Sequence, residues 1–310
     1  MLHKPKKAAV GPLGRAERPM ILTFLIPLLA VYGLFFIYPA IRALYISLFD
    51  WNGFTSDMKF VGLDNFKELF GDSSFWSVAV ANSARILFIG GLLVFLIAFI
   101  ISGLLTTKIR GKKIMRAIIF FPTIISPVAV SILWSSIFNS NWGLLNGILE
   151  ALHLENLIQV WTEPGKLQWV IIVVLAWVYS GFYCVILLAA LDRIPQSHIE
   201  AAKLAGANEL QIFIKIKLPM IKDVLATAMT LWCIDAIKQF GILYAWGGGT
   251  TIPSADVTNL AVKMYMTAFG RRITIYRMGY ATAMGVIMFV FVALVVGLIS
   301  KLMKSDPFEY

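Results

Sequence analysis

The chain has 310 residues, 59% of them hydrophobic and only 14% charged, whereas a soluble domain carries roughly 25% charge. That balance excludes an ordinary soluble domain and places the chain in the membrane class. The net charge of +10 does not point to nucleic acid, because in a membrane protein a basic excess marks cytoplasmic loops and contact with anionic headgroups. Cys184 and Cys233 both lie in apolar blocks and form no disulfide framework, His3, His153 and His198 are scattered, and no metal-ligand or nucleophile motif is present.

In chain order, residues 1–19 form a basic segment with Lys4, Lys6, Lys7, Arg15 and Arg18. The apolar block Met20–Tyr38 that follows is long for a signal peptide and ends in Tyr38-Pro39 instead of a small-residue cleavage site, so it reads as an uncleaved first helix. The segment Ala40–Ala79 carries Trp51, Phe54, Phe60, Phe66, Phe70 and Trp76, which suit a short amphipathic element at the membrane interface. Further apolar blocks cover Val80–Leu105, Met115–Phe138, Leu167–Leu191, Val224–Trp246 and Met278–Met303. Six transmembrane helices are therefore expected, in an all-α membrane fold whose residues 20–310 form one domain. Pro122 and Pro127 predict a bend in the third. With the N-terminus inside, the inner segments hold about twice the Lys and Arg of the outer ones, which predicts both termini in the cytoplasm.

The stretch Ile194–Pro219 is too polar to span and too patterned for a slack linker. Ser197 with Glu200 three residues on has capping-box spacing, and Gly206 is placed to end a short helix. A second amphipathic stretch, Leu210–Leu218, is expected to run until Pro219 breaks it. A short helix–turn–helix on an inner loop between helices 4 and 5 reads as a docking surface for another protein.

Glu200-Ala201-Ala202, Gly206-Ala207, Phe213, Ile216 and Leu218-Pro219 resemble the EAA coupling loop of ABC importer permeases. Val61–Phe66, Phe121-Pro122-Thr123, Ile125–Ala129, Leu187–Leu191 and Gly247-Gly248-Gly249 resemble further segments of the carbohydrate-importer branch, of the type of the larger maltose-permease subunit. The chain departs from that pattern at Ala205, where Asp is usual, at Lys222-Asp223, where a proline is common, and at the third glycine of its triplet. The resemblance implies a permease subunit, not an enzyme, in a bacterial or archaeal cytoplasmic membrane. It implies alternating access, a second permease subunit, two ATPase subunits that bind ATP and Mg, and an external solute-binding protein, with no cofactor in this chain. It also implies that Glu200, Ala201, Ala202, Gly206, Phe213, Leu218 and Pro219 couple to an ATPase subunit.

Trp232, Asp235 and Gln239 fall on one helical face, an indole, a carboxylate and an amide suited to a sugar. Asp235 either faces a cavity or pairs with Lys238. Trp177, Tyr179 and Phe182 on the fourth helix are further candidates by resemblance, with helix packing as the alternative for Trp177 and Phe182. Between Gly247 and Arg277 the chain is expected to fold back at the outer face, with an amphipathic stretch over Val257–Phe269. Arg271, Arg272 and Arg277 there would meet acidic residues of a binding protein, an anionic saccharide or lipid phosphates. The rival functions are an ABC importer for a non-sugar solute and a secondary transporter, which predicts an inverted repeat and no docking loop.

Overall fold

The computed structural model describes residues 17–106, 111–247, 254–270 and 276–303. The elements that matter are α1 (Ile21–Ile46), a two-strand hairpin of β1 (Phe49–Asp50) and β2 (Lys59–Phe60), α2 (Asp64–Gly71) and α3 (Phe75–Leu105). Next come α4 (Lys112–Ile124), α5 (Pro127–Ile137), α6 (Leu144–Ala151) and α7 (Leu167–Leu191). Then follow α8 (Gln196–Leu204), α9 (Glu209–Ile212), α10 (Lys222–Ile237), α11 (Gly241–Trp246), α12 (Leu260–Phe269) and α13 (Met278–Leu302).

Four of these, α1, α3, α7 and α13, are long and apolar enough to cross a membrane, and the pair α4–α5 makes a fifth if counted as one span. The all-α membrane class is as expected, apart from the two-residue strands. The fifth apolar block, expected as one helix over Val224–Trp246, is instead split into α10 and α11 by non-helical residues at Lys238–Phe240. No proline or glycine precedes that break. At the break the Asn259 side chain donates to the Gln239 carbonyl; just beyond it the Ser131 hydroxyl lies 2.9 Å from the Pro127 carbonyl and 3.0 Å from the Ile242 carbonyl, one proton shared between the starts of α5 and α11. In a bilayer a freed carbonyl must find such a partner.

The bend predicted from Pro122 and Pro127 is a full break of 98° between α4 and α5. Ile125 and Ser126 are extended there, and α5 starts afresh with Pro127 in its first turn and the Ser126 hydroxyl accepting from the Ala129 N–H. The Thr123 hydroxyl ties the end of α4 to the Val178 carbonyl of α7 at 2.8 Å. The first span also departs from its expected limit: it continues past Pro39 to Ile46. A π-helical turn at Gly33–Ile37 lies just before the proline and loosens the ladder that the ring would otherwise clash with.

The centre of the bundle is α7, of which 67% is buried, whereas α1 buries none of its span within this chain. α7 packs on α3 and α4, and α10 packs on α13 and α7. Gly181 permits the closest approach: an added Cβ would stand 2.0 Å from the Ile119 carbonyl oxygen of α4. At the end of the bundle nearest α8, Asp192 after α7 accepts from Arg116 at 2.8 Å and from Lys112 at 3.3 Å. At the opposite end, the amide of buried Asn65 donates to the Ser47 and Phe49 carbonyls at 2.9 Å and closes the hairpin onto α2. This is the physical use of the asparagine in the Val61–Phe66 motif.

Gly181→Ala should force α4 and α7 apart and destabilise the chain by about 1–3 kcal/mol, the usual range for overpacking. Thermal unfolding of the detergent-solubilised protein checks it; an unchanged melting temperature would show that the helices do not meet here.

Candidate functional site

Two regions carry the residues singled out from sequence. The first is the loop after α7. Helix α8 presents Glu200 and Ala201 fully outward, Ala202 partly so, and none of its residues is buried. It ends in a Schellman motif: the Gly206 N–H donates to the Lys203 carbonyl, the Ala207 N–H donates to the Ala202 carbonyl, both at 3.0 Å, and Gly206 has φ +81°. Glycine suits that backbone because a Cβ there would be strained. The Lys203 ammonium reaches Glu209 at 2.7 Å across the turn and holds its carboxyl below the ordinary range.

The capping box lies elsewhere than expected. Pro195 occupies the cap of α8, and Ser197 lies inside the helix without a capping bond. The reciprocal pair instead opens α9, where the Asn208 side chain accepts from the Gln211 N–H at 2.8 Å and the Gln211 side chain accepts from the Asn208 N–H at 2.9 Å. Nor does Pro219 break the second stretch. A π-helical turn at Phe213–Lys217 precedes it, helix continues through Leu218–Met220, and the break comes at Ile221. As at Pro39, the wide turn absorbs the missing N–H.

Phe213, Leu218 and Pro219 thus sit on the element that joins α8 to the bundle. Phe213 packs edge-on against Phe99 of α3 at 6.1 Å, with Gly103 beside it, and Ile212 is fully buried. Leu204, Leu210 and Ile214 remain exposed around the uncovered helix. The arrangement is an arm with an exposed stretch at Glu200–Ala202 and an apolar root packed on α3.

The second region lies where the two breaks meet. An added Cβ on Gly241 would stand 2.7 Å from Pro127, so the starts of α5 and α11 are packed together. Facing them, the Tyr179 hydroxyl of α7 donates to the buried Gln239 side chain at 3.0 Å. Asp235 and Lys238 form an i,i+3 pair at 3.5 Å, with the carboxylate side chain 36% exposed and the ammonium side chain 63% exposed. The pairing read from sequence as one alternative is present, and the Asp235 carboxylate keeps part of its surface exposed.

Trp232 does not join that face. Its indole N–H donates to the Leu87 carbonyl at 2.8 Å, within the π-helical turn Ile86–Gly90, and its ring lies over Gly90 and Gly91. Four per cent of the residue is exposed, too little for a ring to stack on it. Trp177 packs edge-on against Trp134 of α5 at 5.3 Å, a contact between helices, whereas the ring beside Phe182 at 5.1 Å is its chain neighbour Tyr183; both Trp177 and Phe182 are half-buried. Tyr183 was not among the candidates. It is fully buried between Phe95, Phe182 and Trp232, with a hydroxyl that has no partner among the described residues. Its spacing of four from Tyr179 is the signal that would have placed both on one side of α7.

At the end of the bundle opposite α8, Arg277 forms a bidentate pair with Glu68 at 2.7 and 2.6 Å and lies over the Tyr280 ring at 4.4 Å. Its guanidinium holds the Glu68 carboxyl below the ordinary range. Arg277 is thus engaged within the chain, with its side chain still 44% exposed. Arg271 and Arg272 lie outside the described residues. Arg85, within α3, is accommodated by the amide oxygens of Asn82 and Gln168 at 2.9 and 2.7 Å. Trp232→Phe should lower stability by about 1 kcal/mol, the worth of one hydrogen bond, while leaving the affinity for a transported solute unchanged. A raised KM at normal stability would return the indole to the solute path.

The family model for the inner membrane component of binding-protein-dependent transport systems matches residues 95–305. The diacetylchitobiose uptake system permease protein NgcF of Streptomyces coelicolor is 32% identical over 318 residues, covering 94% of this chain and 87% of that protein. The alpha-glucoside transport system permease protein AglF of Rhizobium meliloti is 35% identical over 244 residues, covering 76% of this chain and 70% of that protein. Among solved structures, a chain of a bacterial ABC transporter involved in import of the acidic polysaccharide alginate shares the fold, with a TM-score of 0.77 at 19% identity over 93% of this chain and 96% of that one. The matched residues include α4 to α13 and the arm that carries Glu200, and the chain belongs to the inner membrane components of binding-protein-dependent transport systems.

Proposed function

We propose that this chain is the permease subunit of an ATP-driven importer for a sugar or oligosaccharide, forming one half of its pore. The observation that carries the reading is α8: a helix with no buried residue, bearing Glu200-Ala201-Ala202 at its tip and rooted through Phe213 in α3. A helix of nine residues gains too little by itself to persist uncovered, so a partner surface is its expected complement. An ATP-binding subunit fits that place, Glu200 making the polar contact and the two alanines allowing close approach. Closure of two such subunits would turn the arm as a rigid lever and tilt α3, giving alternating access.

The chain carries the path and its partners carry the ATP chemistry. Counting α4–α5 and α10–α11 as one crossing each gives six, with both termini and α8 on the cytoplasmic side, in line with the charge asymmetry. The breaks put non-helical backbone at membrane depth, a placement that serves where it lines a cavity. Tyr179, Asp235 and Gln239 there supply the hydroxyl, carboxylate and amide that sugar hydroxyls pair with. A second permease subunit completes the cavity, and a solute-binding protein delivers the sugar from outside. The saccharide reading draws on the relatives named for diacetylchitobiose and alpha-glucoside uptake.

Glu200→Lys should abolish ATP-driven uptake in proteoliposomes while the chain still inserts; uptake that persists in the assembled transporter would remove α8 from the coupling path. Asp235→Ala should lower uptake roughly tenfold or more, the loss of a charged hydrogen bond to solute, with assembly intact. Uptake at the parental rate would take Asp235 out of the path.

A further inference from the structure

We infer that the cleft at the far end of the α5–α11 pair is an entry subsite for a neutral saccharide, separate from the residues at the breaks. The inference rests on the saccharide reading above and adds a place and a chemical class to it. The cleft is about 410 Å³, within the range of small-molecule sites, roughly 300–1,000 Å³. It lies between the end of α5, the turn that follows, the segment leading into α7, and Trp246 at the end of α11. Along α5, Ser135 is about 12 Å beyond Pro127 at 1.5 Å per residue. Leu167, the first residue of α7, lines the cleft, whereas Asp192 at the other end of α7 leads to α8, so the cleft lies at the end of the bundle away from α8, and α5 and α11 lead from it to the breaks.

Its polar groups are fixed and point two ways. The hydroxyls of Ser135 and Ser136 both donate to the Ile132 carbonyl, at 2.9 and 3.0 Å, which leaves their oxygen lone pairs as acceptors. The Asn139 side-chain oxygen accepts from the N–H groups of Asn141 and Trp142 at 2.9 and 3.2 Å. That clamps the amide and leaves its NH2 as a donor without a partner among the described residues. Acceptors beside donors are the complement of a sugar hydroxyl, which is both. Trp142 is 69% exposed and Trp246 partly exposed; together they offer two indoles to the apolar C–H face of a pyranose ring. One uncovered and one half-buried tryptophan beside hydroxyls and an amide need an occupant more than scattered surface leucines do.

The class follows from what the lining lacks. None of the described residues lining the cleft is charged. A uronate or phosphorylated sugar would give up hydration of its anion with no countercharge in return, whereas a neutral di- or oligosaccharide would not.

Cys184 and Cys233 are buried, so Ser136→Cys would supply the one introduced thiol at this cleft. In the assembled transporter in nanodiscs, its modification by a charged, membrane-impermeant methanethiosulfonate is measured with N,N′-diacetylchitobiose, maltose, trehalose or an alginate disaccharide. The expected result is at least threefold slower labelling with one or more of the neutral sugars and no slowing with the uronate. In parallel, Trp142→Ala should raise the KM for uptake of that neutral sugar about tenfold. Labelling indifferent to every sugar that the transporter takes up, with an unmoved KM in the Trp142 variant, overturns the subsite and leaves the importer reading standing. Equal slowing by the uronate overturns the neutral class, and slowing by the sugar-free binding protein alone assigns the cleft to protein docking instead. Failure of the assembled transporter to take up any saccharide overturns both readings together.

Discussion

A peptide carbonyl inside a bilayer has no water to turn to, and this bundle is arranged around the few places where the helical ladder is given up. At the α4–α5 break the Ser126 hydroxyl and Pro127 restart the helix, and Thr123 bonds across to α7. At the α10–α11 break the Asn259 side chain takes up the Gln239 carbonyl, and the Ser131 hydroxyl bridges the Pro127 and Ile242 carbonyls. Because Ser131 belongs to α5 and Ile242 to α11, each break supports the other, and the polar groups that remain, on Tyr179, Gln239 and Asp235, gather beside them. Without those cross-links α10 and α11 would have reason to join into one helix.

The same constraint explains why so much polar chemistry in this chain is structural. Asn82, Gln168 and Asn259 lie in or beside apolar segments and spend their amides on backbone and on Arg85. Trp232 uses its N–H on Leu87. At the surface opposite α8, Glu68, Asp72, Lys263 and Arg277 pair among themselves and fasten α2 to α12 and α13. What is left uncovered stands out by contrast: the tip of α8 and the hydroxyl-and-indole cleft at the end of α5. One end of the molecule shows a small-residue helix suited to protein contact, the other a neutral polar hollow suited to a small solute. The axis between them runs through α7, the most buried span.

Local pattern carried much of the reading. Hydropathy located five of the six apolar blocks as helices or as a bent pair, with limits shifted by a few residues except at Pro39. Gly206 ends α8 as its position implied, because a left-handed residue after a short helix is a property of a few neighbours. The capping box was legible too, but at Asn208 and Gln211; two near-identical signals stood close together, and Pro195 already filled the cap of α8. The stripe of Trp232, Asp235 and Gln239 shares one helix face as the spacing required. Sharing a face did not mean sharing an environment, since Gly90 and Gly91 of α3 make room for the indole alone.

By itself, the amino-acid order determined the membrane class, a bend at Pro122 and Pro127 and the short polar helix carrying Glu200-Ala201-Ala202, because each depends on residues within a turn or two of one another. Tertiary structure alone decided the second break, the burial of Trp232, the engagement of Arg277 with Glu68 and the gathering of Ser135, Asn139, Trp142 and Trp246 around one cleft. Those outcomes hang on donors and acceptors far apart along the chain, such as Trp232 and Leu87 or Asn259 and Gln239. In a medium without water, a polar atom's role is settled by whichever partner the packing brings within reach.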